Sequence, residues 1–221
     1  MAFLRHKQGV INRIRRPGQR VIVPGGTRGI GTGDTQILNF AGDTSIQTTV
    51  TIDPAVNDYR IEATVTNIDS GNGRYALALH NTVQFFWGKN TSDQTWTRLW
   101  SVDAVGDFAI DWPTDGTEVD IAIEWNAGAG ASNSADFNGE TQPRTKGSDT
   151  ATGFLVIGRR TTGPTPFWLG TIRDVKVYDS DVGGTLLHHW PIDDGVGDGG
   201  EITDIVGGEH GTLTLGTGSW S

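Results

Sequence analysis

Residues 153–179, GFLVIGRRTTGPTPFWLGTIRDVKVYD, decide the fold. Residues 154–158 are a short apolar run bounded by glycine, the pattern of a buried strand. Between 170 and 178, strict alternation puts Val175 and Val177 on one face with Thr171 and Arg173, and Ile172 and Tyr178 on the other with Asp174 and Lys176. A mixed face covers a core poorly. One extra residue near Arg173 and Asp174, a β-bulge, would bring Ile172 onto the face of Val175 and Val177. The two segments read as strands joined by a turn, and a lone hairpin leaves its edges unpaired and buries too little, so a larger sheet is predicted around them.

Composition points the same way. The 32 glycines among 221 residues, recurrent Thr and Asp, and the lack of any useful helical-period run predict many short strands joined by tight turns. The length is ordinary for one all-β sandwich. With no cysteine, neither disulfides nor thiolate metal sites contribute, so stability has to come from burial and assembly. Phe3-Leu4 is followed at once by Arg5, His6 and Lys7, which is no signal-peptide core, and no stretch reaches membrane-spanning length. Synthesis in a host cytoplasm is the expectation.

The net charge of −9 is unevenly spread. Residues 1–33 carry seven basic residues and no Asp or Glu, while the remainder holds ten basic and all 26 acidic residues, so a +7 segment precedes a −16 body. Such a body repels nucleic acid and anionic membranes, and such a segment seeks an acidic partner. Residues 1–35, with Gly9, Pro17, Pro24 and a Gly-rich exit, cannot build a core of their own. They read as a docking arm and linker, the alternative being a floppy tail. Val21, Ile22 and Val23 suit β-augmentation, and Arg13, Arg15 and Arg16 would pair with a neighbour's carboxylates. The basic residues have no interleaved aromatics beyond Phe3, which argues against a nucleic-acid role. Residues 29–33, GIGTG, neither match G-x-G-x-x-G nor open a helix, and read as linker.

In residues 36–67, Leu38 and Phe40 share a strand face, Gly42-Asp43 marks a turn, and Tyr59, Ile61, Ala63 and Val65 face away from Arg60, Glu62, Thr64 and Thr66. Further strands follow in RYALALH, VQFFWG, WTRLWSV, DFAIDW and EVDIAIEW, at the spacing of a sandwich rather than of βαβ units. Asn138-Gly139 signals a type I′ hairpin. L-x-F-x-G, then Y-x-I-E-A-x-V, then VDIAIEWN with ADFNGETQ, then L-V-I-G with G-T-I-R-D-V-K-V-Y-D resemble the strands of a concanavalin A-like, laminin G-like jelly-roll domain. Residues 186–220 are similar to the W-x-x-D-E-G-x-G…D…G-x-x-G-T-L…W element that often opens such domains. Here Asp194 stands in place of Glu and the element sits at the C-terminal end, a relocation that adjacent first and last strands would accept. The resemblance covers about residues 36–221 and is to lectin-like domains of bacteriophage virion proteins. It implies an all-β, two-sheet antiparallel jelly-roll sandwich carried behind an extended N-terminal arm.

Candidate chemistry is sparse. Jelly-roll glucanases carry an E-x-D-x-E cluster on one strand face, which Glu118, Asp120 and Glu124 match only in part, with Ala122 at the third position. Along one strand, Asp120 and Glu124 lie about 13 Å apart and Glu118 and Glu124 about 20 Å, against the about 5–5.5 Å or 6.5–9.5 Å that glycoside hydrolysis uses, so that Glu118 and Asp120 alone are close enough. A solvated strand face is the preferred reading. His188 and His189 are adjacent and point to opposite strand faces, which does not suit one metal. Asp193, Asp194 and Asp198 offer oxygen ligands for calcium but lack EF-hand spacing, and a hydrogen-bonded acidic turn is preferred. Trp87, Trp125, Trp190 and Trp220 lie in apolar or motif surroundings and read as core. Trp96, Trp100, Trp112 and Trp168 sit near polar turns and are the candidates for stacking on a sugar ring.

The expectation is therefore a non-enzymatic, cofactor-free structural protein of a phage virion, a capsid decoration or tail fibre component. Its arm would bind other virion proteins, and the protein would form homo-oligomers. The alternative is a glycan-binding host-receptor module, and a glycoside hydrolase comes third.

Overall fold

The computed structural model describes residues 36–53, 57–80, 85–99, 106–125, 127, 133–144, 152–159, 167–179 and 183–221. The expected docking arm and linker, with Arg13, Arg15, Arg16, Val21, Ile22 and Val23, lie outside the described residues, as does Trp100. The described residues form strands and no helix: β1 (Leu38–Phe40), β2 (Ser45–Ile52), β3 (Tyr59–Thr66), β4 (Arg74–Leu79), β5 (Phe85–Lys89), β6 (Gln94–Leu99), β7 (Gly106–Asp111) and β8 (Glu118–Trp125). After these come β9 (Asn133–Phe137), β10 (Glu140–Arg144), β11 (Gly153–Ile157), β12 (Gly170–Tyr178), β13 (Leu186–Trp190), β14 (Glu201–Ile202), β15 (Gly211–Thr214) and β16 (Ser219–Trp220).

They make two antiparallel sheets of eight strands. The front sheet runs β10-β9-β8-β3-β12-β1-β16, with β13 also on β12, and the back sheet runs β14-β15-β2-β11-β4-β5-β6-β7. Their inner faces meet in one core. Ile61, Val65, Ile121, Ile123, Ile172, Val175 and Val177 come from the front, and Ile46, Ile52, Leu77, Leu79, Leu155 and Ile157 from the back. The predicted all-β sandwich is what the chain forms.

The opening stretch is corrected in one respect. Its two strands are not a hairpin: β11 pairs with β2 and β4 in the back sheet, β12 with β3, β1 and β13 in the front. Apart from β13, the next strand, these partners are distant in sequence, and β11 and β12 lie in different layers. The bulge is where alternation demanded it. The register of β12 against β3 shifts between Arg173 and Lys176, Asp174 takes φ 51°, and Ile172, Val175 and Val177 are all fully buried. Asn138 and Gly139 both have positive φ, 54° and 84°, as a type I′ turn between β9 and β10 requires.

The C-terminal element threads both layers. β13 and β16 join the front sheet and β14 and β15 the back, and β16 closes on β1 with Leu38 opposite Trp220. The amides of Ile37 and Ser221 donate to each other's carbonyls at 2.9 and 3.0 Å. First and last strands are thus adjacent, the condition under which the relocated motif fits the same sandwich.

Candidate functional site

β3 and β8 lie in unbroken register from Tyr59 opposite Trp125 to Thr66 opposite Glu118. Because opposed residues share a face, the pairs alternate: Tyr59–Trp125, Ile61–Ile123, Ala63–Ile121 and Val65–Val119 face the core, and Arg60, Glu62, Thr64, Glu118, Asp120, Ala122 and Glu124 fall on the solvent face. Ala122 is opposed by Glu62 on β3 and by Asp136 on β9, and flanked along its own strand by Asp120 and Glu124. Four carboxylates therefore surround a floor only a methyl group high. A cleft of about 390 Å³ opens there, walled by Arg60, Glu62, Thr64, Asp120 and Asp136 and closed on the β12 side by Asp174 and Lys176.

Each wall is held in place. Arg60 bonds Glu62 at 2.6 Å through Nε and Glu124 at 2.9 Å through Nη1, and the Tyr178 hydroxyl donates to Glu62 at 3.2 Å. Burial works against the Arg60 charge, but hydrogen bonds and charge from Glu62 and Glu124 outweigh it and hold its pKa above the usual range. Burial first, and then the charge of Glu62, push the Tyr178 phenol up, so it stays a donor. Thr64 Oγ1 donates to Asp120 at 2.7 Å; Asp136 accepts from the Gly139 amide at 2.9 Å and from Thr141 Oγ1 at 2.6 Å. His189 Nε2 lies 3.0 Å from Asp174 Oδ1. Lys176 makes no ion pair among the described residues.

The strand reading of Glu118, Asp120 and Glu124 missed the partners supplied by neighbouring strands. Glu62 and Asp136 complete the cleft, and the outward alternation of residues 60–64 and the Asn138-Gly139 turn were the available signals. Glu118 stands apart at the sheet end, paired with Arg173 and half exposed.

Of the tryptophans proposed to stack on sugar, Trp112 and Trp168 are core residues, 3% and 0% exposed. Trp112 packs edge-on against Phe137 at 4.9 Å and Trp168 at 5.1 Å, and Trp168 Nε1 donates to the Thr66 carbonyl at 2.8 Å. Trp96 pairs with Gly88 and Asp107 in the back sheet. Trp87, Trp125 and Trp190 are buried as expected, and Trp220 packs partly buried against the core.

His188 and His189 diverge as their adjacency requires. His188 Nδ1 meets Asp204 at 2.8 Å with its ring stacked on Trp190, while His189 turns to Asp174. In the acidic run, Asp194 accepts from the Thr203 amide and hydroxyl, and Asp198 from the Leu215 amide. Among the described residues no three His, Cys, Asp or Glu side chains are grouped to hold a metal ion. No described helix is long and apolar enough to cross a membrane.

Neither a family model nor a curated protein matches the sequence. Solved structures do match in shape. The native heptameric SAP-like pentraxin from Limulus polyphemus aligns with TM-score 0.50 at 15% identity, over 66% of this chain and 76% of its own. The fold is a two-sheet antiparallel jelly-roll sandwich. The Trypanosoma rangeli sialidase aligns at TM-score 0.45 and 14% identity over 57% of this chain, which spans only 21% of that protein. The enzymatically active domain of tailspike protein 2 from bacteriophage CBA120 aligns at TM-score 0.44 and 12% identity, over 62% of this chain and 24% of that one. At these identities the likeness shows fold and assigns no activity. It does correct the expectation of a non-enzymatic chain: sialidase chains stand among the neighbours of this sandwich, and the exclusion of catalysis is withdrawn.

Proposed function

We propose that residues 36–221 are a lectin-like sandwich displayed by a bacteriophage virion, that residues 1–35 anchor it to other virion proteins, and that the front-sheet cleft binds a host-surface glycan. The observation that carries the glycan reading is the cleft itself. A shallow alanine floor is ringed by fixed hydrogen-bonding groups on the solvent face of a rigid sheet, with both donors (Arg60, Lys176) and acceptors (Glu62, Asp120, Asp136) at hand. Sugar hydroxyls need such a mixture of donors and acceptors. The virion setting is supported by the strand motifs from residue 36 onward and by the +7 segment ahead of them.

Binding of the full chain to a glycan array is the test. Wild-type protein is expected to bind a defined set of glycans and the Asp120→Asn/Asp136→Asn variant to lose them; retention by the variant would move the site elsewhere. Loss of particle incorporation on deleting residues 1–35 tests the arm.

Hydrolysis is the second reading, favoured by one spacing. Asp120 lies diagonal to Asp136 on adjacent strands, about 7–8 Å apart with their Cβ atoms somewhat closer, a placement from which the two side chains can reach the about 6.5–9.5 Å carboxyl separation of inverting pairs. Product analysis of bound glycans by mass spectrometry, with the same variant as control, reads it directly.

A further inference from the structure

The cleft's hydrogen-bonding capacity specifies its ligand further. An ionised carboxylate offers about four acceptor sites. Among the described residues Asp120 uses one, for Thr64, and Asp136 uses two, for Gly139 and Thr141. On the donor side, Arg60 gives two of its five N–H groups to Glu62 and Glu124, the Tyr178 hydroxyl is given to Glu62, and Lys176 alone among the cleft's cations makes no ion pair among the described residues. Charge leans the same way, because Glu62, Asp120, Asp136 and Asp174 line the cleft against Arg60 and Lys176. The body beyond residue 33 carries −16 in all.

A ligand that satisfies unused acceptors must bring donors, and one that bears carboxylate or phosphate meets like charge. We propose, resting on the glycan reading above, that the cleft selects glycans with free amino groups, hexosamine chains lacking some or all of their N-acetyl groups, and rejects uronic, sialic and phosphorylated sugars. The ammonium sits between Asp120 and Asp136 over Ala122, donating to both, and neighbouring hydroxyls donate to Glu62. The floor matters sterically. A residue longer than alanine at 122 would occupy the space the amino sugar needs, since the surrounding side chains converge on that position from both adjacent strands.

The matched probes are chitosan and chitin oligosaccharides of equal length, which differ only in the acetyl group, with oligogalacturonate as the anionic arm. Titration calorimetry of the full chain is expected to show chitosan binding about five- to tenfold tighter than chitin, the scale of two partly exposed charge pairs, with the advantage fading as salt rises. Asp120→Asn/Asp136→Asn should erase that preference. A control variant, Glu118→Gln/Glu201→Gln, removes the same charge at exposed positions outside the cleft and should keep it. Equal affinity for the two probes, tighter binding of oligogalacturonate, or an equal loss in both variants would overturn the proposal. If chitin binds as well as chitosan and both are lost in Asp120→Asn/Asp136→Asn, the amine preference fails while the glycan reading stands; if no oligosaccharide binds, both fail.

Discussion

Asp204 illustrates how single residues hold this sandwich together. Its carboxylate accepts from the amides of His189, Val206, Gly207 and Glu209 and meets His188 Nδ1, pinning the turn before β15 to β13. Burial alone would raise its pKa, but these hydrogen bonds outweigh it and bring the group down from 3.8 to about 2. A depressed carboxylate contributes stability above its unfolded pKa and loses it as pH falls through the folded one, so the contribution is full above about pH 4 and fades toward pH 2. Denaturation of wild type and Asp204→Asn should differ by at least about 2 kcal/mol at pH 7, and protonation should remove most of that ionic part, leaving about 1 kcal/mol of it, at pH 2.5. Asp174 gives a second test at this scale. Its φ of 51° is strained for a branched side chain, so Asp174→Val should be less stable than Asp174→Gly by about 1–2 kcal/mol, measured by urea titration.

At the scale of elements, legibility followed how much of the answer lies along one strand. The bulge in β12 was readable because Ile172, Val175 and Val177 cannot share a face without it, and the β9–β10 turn because Asn138-Gly139 fixes its geometry locally. β2 is absent from the strands read in residues 36–67. Its sequence SIQTTVTI hides an inward row of Ile46, Thr48, Val50 and Ile52, in which Thr48 is tolerated because its hydroxyl donates to the Leu155 carbonyl at 3.0 Å. The pairing of β11 with β12 was misread because neither strand encodes its neighbours. The cleft was half visible for the same reason: Asp120 was in view on β8, while Glu62 and Asp136 reach it only through lateral register. The element-scale prediction follows. Ala122→Leu should fill the cleft and abolish glycan binding while leaving the thermal midpoint within a few degrees, because the change is on the solvent face; coincident loss of folding would refute it.

For the whole molecule, β16 closes on β1, so the first and last strands of the sandwich are neighbours and a segment at either end of it reaches the same edge of the front sheet. If that closure is what makes the order of strands interchangeable, a permutant joining Ser221 to Ile37 by a short linker, with new ends between β12 and β13, should fold with the same near-ultraviolet circular dichroism. Both ends of the sandwich leave from one edge of the front sheet, whose solvent face holds the cleft. The account rests on that face being the binding surface. Its most direct test is a heteronuclear NMR titration of the full chain with a chitosan oligosaccharide. The Ala122 methyl and the amides of Asp120, Asp136 and Glu62 should shift together and saturate. Shifts confined to the back sheet, or none at saturating ligand, would contradict it.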